Sequence, residues 1–121
     1  MQSKKSGATV GNTPQIENPQ TAEDFAERGW NNYSRRAFEQ AQADFRHSLD
    51  MKPDNPDAMF ALGLCLAADG KAPEAISTFQ DVIEYLSSRT TDETRVRYHM
   101  LVRLSRGHIN RIKTGEWRLE I

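Results

Sequence analysis

The sequence predicts an all-α chain: a small solenoid of two antiparallel helix hairpins followed by a long C-terminal helix, about five helices in all. Three observations carry this. Phe25, Gly29, Ala41, Phe45 and Leu49 return 34 residues later as Met59, Gly63, Ala75, Phe79 and Ile83, and a fixed period of that length is the mark of a stacked repeat. Apolar residues in the second half of each copy (Ala41, Phe45, Leu49; Ala75, Phe79, Val82, Ile83) recur every three to four positions, a stripe that faces a partner helix. The breaks between these stretches carry helix start and stop chemistry.

Thr21, before Ala-Glu-Asp, has the side chain to cap a helix start, and the acids after it suit the positive end of the helix dipole. Asn55 before Pro56 and Asp57 repeats that arrangement, and Pro73 suits the first turn of a return helix. Lys52-Pro53-Asp54-Asn55 is turn chemistry, and Gly70 after Ala67-Ala68-Asp69 is a C-terminal stop. These signals predict helices near 22–35, 38–51, 56–69 and 73–87. Small residues at 29, 41, 63 and 75 mark where paired helices approach closely, with large residues filling the space around them.

The aromatic, glycine, alanine, phenylalanine and proline order of Phe25, Gly29, Ala41, Phe45 and Pro53, continued by Leu62, Gly63, Ala75 and Phe79, resembles the tetratricopeptide-repeat family. The resemblance runs from Ala22 to about Ser87, with repeats at about 22–55 and 56–88. Arg28 stands where the family has Leu, and Ser87 where it has its closing Pro.

Thr90-Thr91-Asp92-Glu93 reads as a capping box before a third helical stretch at about 91–114, which looks like the first helix of a further repeat serving as a cap on the solenoid. Tyr98, Leu101, Val102, Ile109 and Ile112 share one face of its helical wheel; Arg95, Arg103, Arg106 and Lys113 share another, and Gly107 is a point where the wheel could break. A solvated charge run is the ordinary reading of that basic face, with a surface for an acidic peptide as the alternative. Residues 116–121 alternate apolar and polar, so that Trp117 folds over the end of the solenoid or packs on a neighbouring molecule. Residues 21–115 thus make one domain, preceded by a tail at 1–20 that is too polar and aperiodic to order itself.

Composition narrows the function classes. The formal net charge of −1 hides an asymmetry: residues 21–88 hold six basic and twelve acidic groups, residues 89–121 eight basic and four acidic. No stretch approaches the roughly 18 apolar residues of a membrane span and no secretory signal opens the sequence, which predicts a cytoplasmic protein with no membrane partner. Cys65 stands alone and reads as packing. His47, His99 and His108 lack companions at metal-ligand spacing, and the glycines are too scattered for a phosphate loop. The expectation is therefore no catalytic residue, no metal, no cofactor and no enzyme. Four basic groups without a recognisable motif also argue against nucleic acid.

What remains is binding of a protein or peptide. The resemblance implies a concave groove lined by the first helix of each hairpin, which places Glu23, Ala26, Trp30 and Tyr33 beside Asp57, Phe60 and Leu64, with Arg95 and Tyr98 completing the wall. Family members that grip a C-terminal carboxylate use Lys and Asn at such positions. This chain offers Ala26, Trp30 and Ala61 there, so its ligand would be held mainly through apolar side chains. The alternative is a self-assembly unit, a homodimer through the third helix and the C-terminal arm.

Overall fold

The computed structural model describes residues 16–89 and 95–115. The polar tail up to residue 15, the capping box at 90–93 and the arm at 116–121 lie outside the described residues. Among the described residues there are five helices: α1 (Ala22–Ser34), α2 (Phe38–Met51), α3 (Pro56–Ala68), α4 (Ala72–Ser87) and α5 (Arg95–Thr114). The bounds of α1 to α4 agree with the sequence reading to within a residue; the expected start of the last helix at 91 lies outside the described residues, and α5 runs unbroken through Gly107.

The expected start and stop chemistry forms. Thr21 Oγ accepts from the Asp24 amide at 3.0 Å and the Asp24 carboxylate accepts from the Thr21 amide, a reciprocal capping box that satisfies two otherwise orphaned donors. Asn55 Oδ1 accepts from the Ala58 amide at 3.1 Å, with Pro56 in the first turn. Gly70 ends the α3 turn at φ +77°. The equivalent turn after α1 was not legible: Arg36, 34 residues earlier, takes φ +65°, and the Ala37 amide closes the turn on the Asn32 carbonyl at 2.8 Å. A side chain in that region costs about 1 kcal/mol relative to glycine.

Each hairpin closes around one phenylalanine. A Cβ added at Gly29 would sit 2.9 Å from the Phe45 ring, and one at Gly63 would sit 2.7 Å from the Phe79 ring. The small residues thus make room for a ring that crosses from the return helix, and both rings are fully buried. Around them Ala41, Ala61, Cys65, Leu66, Ala75 and Ile109 form one continuous core. Burial pushes the Cys65 thiol up to about 12, so it is protonated and inert at neutral pH.

The helices stack in sequence order: α1 packs on α2, α2 on α3, α3 on α4, and α4 on α5. Contacts from α1 to α3 and from α3 to α5 are slight, so the first helices of the hairpins line one side of the solenoid without packing tightly together. Among the described residues no helix is long and apolar enough to cross a membrane.

The departure at Arg28 has a structural reason. Its guanidinium donates from Nε and Nη2 to the Asp44 carboxylate at 2.8–3.2 Å, and Asn32 Nδ2 donates to the same carboxylate at 2.8 Å. Asp44 is nearly buried, and the pairing holds Arg28 more firmly in its charged form. The first hairpin therefore closes on a hydrogen-bonded ion pair where a leucine would otherwise fill the space.

Candidate functional site

Helix α1 places Glu23, Ala26, Trp30 and Tyr33, at spacings of three, four and three, along one flank, and α3 places Asp57, Phe60 and Leu64 along the matching flank. Ala26, Tyr33, Phe60 and Leu64 are half-buried against the core. Trp30 is 41% exposed yet held: its ring meets Phe45 edge-on at 5.2 Å and Tyr33 at 5.8 Å. Tyr33 in turn leans on Phe38 at 5.6 Å. An indole fixed on two sides and open on the third presents a large contact area that has little rotamer freedom left to lose on binding.

The charged positions are exposed. Glu23 pairs with Lys52 at 2.6 Å, and that hydrogen bond, reinforced by the α1 backbone, holds its carboxyl below the usual carboxylate range. Asp57 lies at the first turn of α3. Ala61, read with Ala26 and Trp30 as a groove position, is fully buried and lines no surface.

The α5 wall differs from the sequence reading. Tyr98 does not join Phe60; it lies with Leu86, Val102, Arg103 and Arg106 in a cleft of about 310 Å³ between α5 and the end of α4. Arg95 is exposed at the start of the same helix. Among the described residues, α5 meets the Phe60 ring through His108, ten residues later, or about 15 Å along the helix. Its ring stacks on Phe79 at 5.0 Å and 7° and meets Phe60 edge-on at 5.6 Å. Burial, with the positive charge of Arg111 behind it, lowers the His108 pKa, so its ring is neutral at pH 7. The register follows from α5 running antiparallel to α4, with its start beside Leu86 and its middle beside Phe79. A 34-residue period carried forward from α3 points to the first turns of α5, and only a longer link before α5 would have signalled the shift.

A second depression, of about 600 Å³, opens between α2 and α4 and is lined by Arg46, Leu49, Met59, Tyr85 and Arg89 among others. Met59 and Leu62 reach it from the side of α3 opposite Phe60 and Leu64. Among the described residues no cluster of His, Cys, Asp or Glu could hold a metal ion.

No curated protein and no solved structure matches the chain. A family model for the tetratricopeptide repeat matches residues 27–88, just over half of the chain, and its span takes in both phenylalanine-over-glycine hairpins. Repeats of this family generally mediate protein–protein interaction. The two matched hairpins, stacked in order and closed by the same ring-on-glycine contact, make this chain a member of the tetratricopeptide-repeat family.

Proposed function

We propose that the chain is a non-enzymatic adaptor that holds a peptide or protein segment along the face formed by α1, α3 and the second half of α5. The observation that carries this is Trp30, an exposed indole already immobilised by Phe45 and Tyr33. Exposed large apolar groups that are rigid before contact are where binding free energy concentrates. Ala26, Trp30, Phe60 and Leu64 would supply apolar contact, and Glu23 and Asp57 on one side with Arg111 on the other would orient the bound segment by charge. His108, neutral and stacked, takes the place in the wall first assigned to Tyr98 and Arg95.

The test is affinity capture of partners on immobilised full chain, compared with Trp30→Ala and with Tyr85→Ala, which alters the depression between α2 and α4. Loss of at least tenfold of the captured partner with Trp30→Ala, corresponding to about 1.4 kcal/mol, and none with Tyr85→Ala supports the groove. The reverse pattern moves the ligand to the α2–α4 depression and removes the groove assignment.

A further inference from the structure

Helix α5 carries six basic residues and no acidic one over its 20 residues. His99, Arg103 and Arg106 follow one another at spacings of four and three, so they share about 60° of the helix circumference over about 10 Å of its length. All three are exposed, and neither arginine is in an ion pair among the described residues.

These three side chains line the cleft between α5 and the end of α4, and the rest of its lining is mainly apolar: Leu86 is fully buried, and Tyr98 and Val102 are half-buried. Ser87 completes it, its hydroxyl donating to the Ile83 carbonyl at 2.7 Å. Among the described residues no carboxylate lines this cleft. Two other depressions differ. The one between α2 and α4 sets Arg46 and Arg89 with Asp81 and Glu84, and a shallow one on α4 carries Asp81 and Glu84 without a base. At about 310 Å³ the α4–α5 cleft lies at the lower end for ligand pockets, with room for one large side chain and little more.

The charges select the ligand. Arg103 and Arg106 bring two positive charges to the cleft, and the last carbonyls of α4 offset about half of one. A single carboxylate nearly answers the remainder, and carboxylates suit the planar guanidinium fork. A run of phosphates overshoots it and finds no backbone amide to hold it, since residues 98–106 lie inside α5, where the amides are spent on the helix. An anion alone would leave the apolar lining uncovered, and an apolar side chain alone would leave the arginines unanswered. We infer that the α4–α5 cleft docks an acidic segment of a protein partner: one large apolar side chain packs on Leu86, Tyr98 and Val102, and an Asp or Glu close to it in sequence pairs with Arg103 and Arg106. The two features must be close because Val102 directly precedes Arg103 and stands one turn before Arg106. Val96 and Met100, 80% and 54% exposed, stand on the same turns of α5 and offer the segment further apolar contact. The cleft shares no residue with the groove proposed around Trp30, so one chain can hold two segments at once, a source of avidity.

A random dodecapeptide library displayed on phage and selected on the immobilised full chain tests it. Each selected peptide is synthesised, labelled and titrated by fluorescence anisotropy against the wild type, Arg103→Ala/Arg106→Ala and Trp30→Ala. The expected result is a class of peptides, enriched in Asp or Glu beside Leu, Phe or Trp, that bind at roughly 1–100 μM, lose at least tenfold with the arginine variant and keep their affinity for Trp30→Ala. Within such a peptide, replacing the apolar residue by Ala or the acid by its amide should each weaken binding about tenfold, and raising salt to about 0.5 M should weaken it several-fold. Both arginines are exposed and alanine favours the helix, and circular dichroism checks the fold. Should helicity fall, Arg103→Gln/Arg106→Gln replaces the variant, with the same expectation. A selection without arginine-dependent peptides, or arginine-dependent peptides that need no apolar residue, would overturn the inference. Peptides weakened equally by Trp30→Ala would overturn it as well and assign them to the groove. So would a single-stranded RNA oligonucleotide that binds more tightly than any selected peptide and is lost with the same arginine variant, which would assign the arginines to a polyanion.

Discussion

The two hairpins share a backbone plan and differ in what fills it. In the second, Leu62, Leu66, Thr78 and Val82 stand at the positions that Arg28, Asn32, Asp44 and Ser48 hold in the first. Leu66 and Val82 are fully buried and apolar. Asp44 and Ser48 are as deeply placed, but Asp44 is held by Arg28 and Asn32, and Ser48 Oγ donates to the Ala22 carbonyl at 2.8 Å. The same helix crossing can thus be closed by apolar contact or by a satisfied polar cluster. Apolar contact tolerates sliding, whereas the cluster fixes one register and fails badly when one member is lost.

The largest effect should come from breaking that cluster. Asp44→Ala leaves the Arg28 guanidinium and the Asn32 amide without their shared acceptor and should cost about 2–4 kcal/mol, less than a fully buried pair because Arg28 keeps some water contact. Replacing the set by its second-hairpin counterparts, Arg28→Leu/Asn32→Leu/Asp44→Thr, should recover most of that loss, since no orphaned charge remains. Chemical denaturation of the two variants decides the matter. A triple variant as unstable as Asp44→Ala would mean that the first hairpin cannot accept the apolar solution.

The next comparison is the ring-on-glycine contact. Gly63→Ala should cost about 1–3 kcal/mol by overpacking against Phe79, and Gly29→Ala somewhat less, because the approach is 2.7 Å in the second hairpin and 2.9 Å in the first. Phe45 also has the partly exposed Trp30 as a neighbour that can shift, whereas Phe79 is hemmed in by Phe60 and His108. Equal losses in thermal melts would show that the neighbours do not govern the relaxation.

The hairpin turns give a smaller contrast of opposite sign. Arg36→Gly should stabilise the protein by up to about 1 kcal/mol by relieving the left-handed backbone, offset in part by the lost stacking of Arg36 over Phe38, while Gly70→Ala should destabilise it by about as much. If Arg36→Gly destabilises, the contact with Phe38 outweighs the strain.

The fold was legible because its determinants are local or periodic: Thr21 and Asn55 cap, Gly70 stops, and the 34-residue period pairs Gly29 with Phe45 and Gly63 with Phe79 by spacing alone. On the site, spacing groups Trp30, Phe60 and Leu64 on matching flanks of α1 and α3, because they sit inside the repeats; of the three, Phe60 and Leu64 pack partly against the core. It missed His108 because α5 is not bound by the period; its register depends on how the helix lies along α4, a tertiary fact. It also missed the cluster at Arg28, since an ion pair between residues 28 and 44 has no signature until the hairpin brings them together. The replacement of Leu by Arg was the visible trace of it.

The smallest expected effect concerns the α5 wall. His108 faces Phe60 and Phe79 across the packing and Arg111 on its own helix, so both burial and charge favour its neutral ring and lower its folded pKa below the unfolded value near 6.5. A group lowered in this way adds stability that is complete above pH 6.5 and is lost as the pH falls through the folded value. The melting temperature should therefore decline between pH 7 and pH 5 more steeply in the wild type than in His108→Gln, which cannot take up the proton. Parallel declines would show that the imidazolium is accommodated in place, its charge balanced by the face of the Phe79 ring it stacks on. The α5 wall would then hold at acidic pH, and acidification would leave the groove intact.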